Sequence, residues 1–366
     1  MGLIMFPGLF STAFILAGLI TAQTALDGRT FSFPTMTGPH ALADQGYNPE
    51  LIKSRIMLEA HSLVSRSQSR DQATDFAVSN ADGPPEIIAK QLGLQPALDA
   101  AQNYVGRLSY SIVGSVVDRG SEYQLVLTST RFDGRVVQAT MHRPKTDVDL
   151  LIKDAGYALI HMVSPHLACA SRLQEARYAM ANAPFDGTRV MECIDKALPS
   201  SLDNEKVWLL NLQGITYALE GKRDAAFSSL KGALTIEPNF SPALVNVGIM
   251  FAMNGQPEQA RKAYREVFKK RLSSDSAQTY SSAHALWGLS LEKLGNKKRA
   301  LEHYWLAVRA DPNFPIAQQI LLDHLPPDSP DAQAIRNNLK YMDSAEGLGR
   351  VYTENLLGFI DFKTLE

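Results

Sequence analysis

The sequence predicts a mainly α-helical solenoid, preceded by a small α+β domain and by one apolar N-terminal helix. Three observations favour this fold class. A pattern of small, aromatic and helix-breaking residues occurs three times, a region of alternating polar and apolar residues lies before it, and the first segment carries no charge. A chain of 366 residues is long enough for two or three such domains.

The repeated pattern occupies residues 207–312. The step from Gly214 to Gly248 is 34 residues, and the step from Gly248 to Gly288 is 40, because about six residues are inserted around 271–278. Glycine inside an apolar helix costs about 1 kcal/mol relative to alanine, so close approach of a second helix must offset that cost. We expect the alanines twelve residues later to face these glycines across each helix pair; they are Ala226, Ala260 and Ala300.

A second set of glycines marks the turn inside each repeat. Gly221, Gly255 and Gly295 stand where the first helix must stop, and glycine tolerates the left-handed conformation that commonly ends a helix. Pro238 and Pro312 follow the second helix and prevent its continuation. Each repeat is therefore predicted to be a helix–turn–helix unit.

A helix–turn–helix period of 34 with these residue types resembles the tetratricopeptide repeat (TPR) family. We assign the solenoid to residues 165–325, with a degenerate first repeat whose helices lack the small-residue pattern, and residues 326–366 to a C-terminal capping helix and tail. The degenerate repeat covers 165–201, and the three regular repeats cover 207–240, 241–274 and 281–314.

The resemblance implies that the first helix of each pair lines a concave groove that binds a partner protein. Asparagine can donate to and accept from a bound peptide backbone, and methionine offers adaptable apolar contact. The alternative is that Ile249 and Met253 only pack against the next repeat. The predicted groove residues are Asn211, Ile215, Asn246, Ile249, Met253, Leu289 and Glu292.

Two further features qualify that groove. Chaperone-binding TPRs clamp a C-terminal carboxylate with basic residues, whereas the corresponding positions here hold neutral residues and only Asn246 agrees; the departures are Asn211, Ile215, Ser282 and Leu286. The inserted edge carries Lys269, Lys270 and Arg271, and we expect it to distinguish this solenoid from other solenoids built of the same repeat.

Residues 28–164 predict the α+β domain. Asn48-Pro49-Glu50 marks the start of a helix, and the alternation between Arg107 and Arg143 predicts a β-meander. A helix from about Asp147 to Met162 can cover one face of that sheet, and residues 76–105 are expected to add a short strand and two short helices. The arrangement resembles the small α/β domain placed before TPRs in membrane-anchored bacterial proteins.

Residues 1–27 predict a transmembrane helix, since 2–26 carry no charge and about 20 apolar residues span a bilayer. A cleaved signal peptide and a buried core helix are the alternatives. With the resemblance and the cysteine placement, this predicts a single-pass protein of the bacterial inner membrane whose soluble part lies in the periplasm.

The cysteine count is two. Cys169 and Cys193 fall on the two predicted helices of the degenerate repeat, where they can form a disulfide in an oxidising compartment. The alternative is that both are separate buried thiols. Without Cys-x-x-Cys or His-Glu-x-x-His spacing we expect no metal site.

The sequence contains no catalytic or phosphate-binding motif, and its net charge of −2 argues against nucleic-acid binding. We therefore expect no enzyme and no cofactor, and interpret the chain as a membrane-anchored scaffold that binds membrane or envelope proteins in a complex. The alternative is a regulatory or sensory module whose α+β domain binds a small ligand. The apolar run at 355–362 either packs back onto the chain or engages a partner.

Overall fold

The computed structural model describes residues 31–69, 110–131, 134–269, 276–344, 351–360 and 365. It divides the chain into two compact units, the first ending at Val163 and the second beginning at Ser164; the second also includes Val64–Arg70. The predicted N-terminal span, the strand and helices expected at 76–105, and Lys270 and Arg271 lie outside the described residues. None of the helices within the described ranges combines the length and the apolarity needed to cross a bilayer.

In its described residues, the first unit is a four-stranded sheet with helices. Strand β1 pairs in parallel with β2, and β2, β3 and β4 form the antiparallel meander, in the order β1-β2-β3-β4. The strands are β1 (Phe31–Thr37), β2 (Tyr110–Asp118), β3 (Glu122–Arg131) and β4 (Val136–Pro144), and the helices are α1 (His40–Asp44), α2 (Pro49–Ser67) and α3 (Val148–Val163). The last residues of α2, from Val64 onward, belong to the second unit.

Alternating side chains explain how this sheet is covered. On β3, Tyr123, Leu125 and Leu127 point to the core and are at most 1% exposed. Helix α3 packs over β3 and β4. It also approaches α2 closely at Gly156, where a Cβ would lie only 2.7 Å from Cβ of Glu59. The period-two pattern thus places one face of the meander against the helix.

The second unit is an array of helix pairs. The two helices of each pair pack together, and the first helix of one pair also contacts the first helix of the next. The pairs are α4 (Pro165–Ala179) with α5 (Thr188–Ala197), α6 (Asp203–Leu219) with α7 (Arg223–Ile236), α8 (Ser241–Met253) with α9 (Pro257–Val267), α10 (Ala277–Lys293) with α11 (Lys297–Ala310), and α12 (Pro315–Asp323) with α13 (Pro330–Ser344). Short 3-10 turns occur at Leu198–Ser200 and Leu356–Gly358.

The turn glycines end the first helices as the sequence indicates. Gly221, Gly255 and Gly295 have φ angles of +74°, +67° and +79°. In the first turn, Lys222 N donates to Tyr217 O at 2.8 Å, and the same bond recurs in the other two repeats. This is the Schellman arrangement, which satisfies the last helical carbonyls.

The glycines inside the first helices face the second helix of the pair closely, and a larger side chain fills the space beside them. A Cβ on Gly214 would lie 2.6 Å from Cγ of Leu230, and Gly248 and Gly288 face Tyr264 and Tyr304 in the same way. The carbonyl oxygens of Ala226 and Ala300 also lie 3.3 and 3.1 Å from a Cβ built on Gly214 and Gly288, so these alanines face the glycines as expected. The side chain that fills the remaining space comes four positions after each alanine. Long helical side chains lean over the preceding turn, so Tyr264 covers the space beside Ala260.

This contact predicts opposite effects for two glycine-to-alanine changes. Gly248→Ala should destabilise the second unit by about 1–3 kcal/mol, because its new methyl group overlaps the buried ring of Tyr264. Gly232→Ala is the matched control on α7, where the methyl group would lie 3.5 Å from Leu210 and should stabilise the helix by up to about 1 kcal/mol. Urea unfolding measures both; equal effects of the two changes would contradict the packing assignment.

Candidate peptide groove

The chain's own C-terminal segment lies against the first helices of four consecutive pairs. We call residues 351–360 the tail segment, and helices α4, α6, α8 and α10 the groove helices. Polar side chains from each of these helices bond to the tail segment; they are Gln174, Asn211, Asn246, Gln278 and Ser282. The groove predicted to bind a partner thus holds a piece of this same chain.

Two asparagines form the centre of the contact. Asn211 Nδ2 donates to the Glu354 carbonyl at 3.0 Å, and Asn246 Nδ2 donates to the same oxygen at 2.8 Å. Asn246 Oδ1 accepts from Leu356 N at 2.8 Å, and Asn246 Nδ2 also donates to Asn211 Oδ1 at 2.9 Å. Both asparagines are fully buried, so these bonds satisfy amide groups that would otherwise be costly to bury.

Helix α10 contacts the segment on either side of Glu354. Gln278 Oε1 accepts from Tyr352 N at 2.8 Å, and Ser282 Oγ accepts from Asn355 Nδ2 at 2.8 Å. The Asn355 Oδ1 atom accepts from Leu357 N at 3.0 Å and so caps the Leu356–Gly358 turn. Asn355 therefore shapes the segment and contacts the groove at the same time.

Thr353 is buried beside helix α4 and the end of α2. Its hydroxyl accepts from Gln174 Nε2 and donates to the carbonyl of Ser67, while Thr353 N donates to the carbonyl of Gln68 at 3.2 Å. The carboxylate of Glu354 accepts from the hydroxyl of Ser69. Burying a carboxylate is costly unless it is hydrogen-bonded, and this bond contributes part of that compensation.

Apolar side chains complete the contact. Leu356 and Leu357 are each 1% exposed. The guanidinium carbon of Arg177 lies over the ring of Phe359, 5.2 Å from the ring centroid. Burial lowers the pKa of Arg177. Gly358 allows the turn to close on the segment itself, since a Cβ there would lie 2.9 Å from Cγ1 of Val351.

The predicted groove residues lie in different environments. Asn211 and Asn246 come together around one peptide carbonyl, whereas Ile215, Ile249 and Leu289 are buried and Met253 is partly exposed.

Glu292 has a different environment from the asparagines. Its Oε2 accepts from Tyr304 Oη and lies close to His324 Nε2, each at 2.8 Å, so it packs within the array. Of the predicted insertion edge, Lys269 is described and pairs with Glu266 at 2.7 Å. The sequence did not predict the groove roles of Gln174, Gln278, Ser282 and residues 67–69.

A disulfide joins the first helix pair of the second unit. Cys169 on α4 and Cys193 on α5 have their sulfur atoms 2.03 Å apart and their Cα atoms 5.5 Å apart. It closes the loop between the two helices of the pair that carries Gln174, and cross-linking restricts the unfolded chain.

The two histidines of the third regular repeat belong to its packing. His284 and His303 approach with their Nδ1 atoms 3.1 Å apart, and His284 stacks on Phe268 at 4.2 Å. Burial, together with the neighbouring His303, lowers the pKa of His284 to about 4. His284 is therefore neutral at neutral pH. No group of three His, Cys, Asp or Glu residues suited to a metal ion occurs in the described parts of the chain.

Comparison with known proteins gives distant structural likeness. No protein-family model matches this chain, and no curated protein matches it. A solved structure described as "Crystal structure of MamA" is 20% identical over 41% of this chain and 83% of that one, with a TM-score of 0.31. One described as "MamA RS-1 ArsTM double mutant" is 16% identical over 50% and 97% of the two chains, with a TM-score of 0.33. At these identities and TM-scores the likeness carries no argument about function.

The asparagine contact predicts a large and local loss of stability. Asn246→Ala should destabilise the second unit by about 2–4 kcal/mol, because it removes three buried hydrogen bonds and leaves Leu356 N without its acceptor. Asn254→Ala, at the partly exposed end of the same helix, should change stability by less than about 0.5 kcal/mol. Thermal unfolding compares the two, and equal stabilities would contradict the assigned role of Asn246.

Proposed function

We propose that this chain is a non-enzymatic scaffold whose groove binds a short segment of a partner protein. One observation supports the proposal above all others. The groove helices hold a polypeptide by its backbone, through the carbonyl of Glu354 and the amides of Tyr352 and Leu356. Backbone carbonyls and amides are present in every polypeptide, so this chemistry suits a protein partner.

The tail segment sets the conditions under which a partner binds. A covalently attached segment has an effective concentration of about millimolar at its own site. A partner segment must therefore bind more tightly than the tail, or be held nearby at high local concentration. A scaffold inside an assembly meets the second condition, because its partners are held beside it.

In-cell photo-crosslinking tests the proposal with the full-length chain. A photoreactive amino acid replaces Met253, a partly exposed residue of groove helix α8. The control replaces Lys231, an exposed residue of α7, which is not a groove helix. We expect one defined partner segment to crosslink at Met253 and not at Lys231, with yield rising when Leu356→Ala and Leu357→Ala weaken the tail contact.

The proposed scaffold function is wrong if Met253 crosslinks only within the chain itself, both with the wild-type tail and with the weakened tail. The groove would then bind no partner.

We further propose that residues 2–26 anchor the protein in the inner membrane of a bacterium and that both described units lie in the periplasm. The Cys169–Cys193 disulfide supports this side of the membrane, because disulfides persist in oxidising compartments and are rare in the cytosol. The uncharged N-terminal sequence supports the anchor.

The redox state in cells checks this location. Cells are quenched in acid and denatured, since both cysteines are buried in the fold, and their thiols are then alkylated with a mass-adding reagent. We expect a mass shift only after reduction. A full shift without reduction would mean free thiols and would contradict the periplasmic location.

A further inference from the structure

We propose that the partner segment carries the sequence pattern Thr-Glu-Asn-Leu-Leu-Gly, which is the pattern of residues 353–358, and that it binds by replacing the chain's own tail. This inference rests on the proposed function and names the chemistry of its partner. Backbone contacts alone would accept any sequence, but each of these six residues meets a requirement of the groove or of the segment's own turn.

Thr353 and Glu354 define the first half of the pattern. The hydroxyl of Thr353 is fully buried and both donates and accepts, so valine, its isostere without a hydroxyl, would leave Gln174 and the Ser67 carbonyl without this partner. The carboxylate of Glu354 is 3% exposed and accepts from Ser69. Both positions therefore select by hydrogen bonding.

Asn355 defines the shape of the segment. Its oxygen caps the turn at Leu357 N, and its nitrogen donates to Ser282 Oγ. Aspartate would keep the cap, because its carboxylate accepts hydrogen bonds, but it would lose the donor to Ser282. The groove therefore distinguishes asparagine from aspartate, which has almost the same shape.

Leu356, Leu357 and Gly358 define the second half of the pattern. The leucines are buried to 1% exposure each, so truncating either removes a buried apolar contact. A side chain at Gly358 would meet Val351 and the guanidinium of Arg177, the latter at 3.6 Å. Only a small residue allows the segment to turn at this point.

The turn can form in a separate molecule because its bonds are local. Asn355 N donates to the Tyr352 carbonyl at 3.0 Å, Gly358 N donates to the Asn355 carbonyl at 3.0 Å, and Phe359 N donates to the Leu356 carbonyl at 2.9 Å. A free peptide of residues 351–360 contains every donor and acceptor of this turn. Covalent attachment to α13 is therefore not required for the bound shape.

Binding of a labelled peptide of residues 351–360 tests the inference, with fluorescence anisotropy as the readout and the full-length chain as the receptor. The Leu356→Ala, Leu357→Ala chain should bind this peptide at least about ten-fold more tightly than the wild-type chain does, because its own tail competes less. Peptides with Thr353→Val or Asn355→Asp should bind about ten-fold more weakly, whereas Ile360→Ala, at a partly exposed position, is the control and should bind within about two-fold.

A second measurement uses the unmodified chain, in case the weakened chain does not fold. Unlabelled peptide is added to about 10 mM, above the expected effective concentration of the tail, and the backbone amide signals of Leu356 and Gly358 are followed by NMR. We expect these signals to move to the positions of a free peptide. A scrambled peptide should leave them unchanged.

Three results would overturn the inference. They are tail signals that do not move, equal binding of the scrambled peptide, and equal binding of the Asn355→Asp peptide. If these occur while a partner still crosslinks at Met253, the pattern is wrong and the scaffold function stands. If the peptide binds as expected but no partner crosslinks, the groove reads this pattern and the proposed function fails.

Discussion

The structure of the groove depends on the hydrogen bonds of Asn246. This one side chain donates to Asn211 and to the Glu354 carbonyl and accepts from Leu356 N, and it is fully buried. Buried amides are stable only where their donors and acceptors are paired, and here much of the pairing comes from the tail segment. The groove is therefore satisfied only with a polypeptide in it, which makes an occupant part of the fold.

The repeats place these asparagines on neighbouring groove helices, α6 and α8. Gly214, Gly248 and Gly288 bring the two helices of each pair close together, since each glycine leaves room for a side chain of the partner helix. The left-handed glycines such as Gly255 end the groove helices and lead the chain into the second helix of each pair. Residues that determine packing are thus separate from the asparagines, glutamines and serine that contact the tail.

The local parts of this architecture are predictable from the sequence. The terminator glycines and the alternation of the meander are local patterns in the chain, and the structure has helices and strands in those places. The spacing did not predict that Tyr264 fills the space beside Gly248, because the lean of a side chain along its helix cannot be read from sequence positions. The packing of the histidine pair also depends on contacts between different helices.

The position of the tail could not be predicted, because its contacts join residues far apart in the chain. Asn211 and Glu354 are separated by 143 positions, and Thr353 and Ser67 by 286. No local pattern encodes such pairs. The apolar run at 355–362 indicates only that the segment packs against protein, and it does not tell whether that protein is this chain or a partner.

Amide hydrogen exchange in the unmodified full-length chain tests the central claim most directly. The bond from Leu356 N to Asn246 Oδ1 is buried, so the amide of Leu356 should exchange far more slowly than it does in a free peptide of residues 351–360. The amides of Gly358 and Phe359, which close the turn, should be protected with it. Exchange of Leu356 at the rate of the free peptide would contradict the account, since the groove would then stand without its occupant.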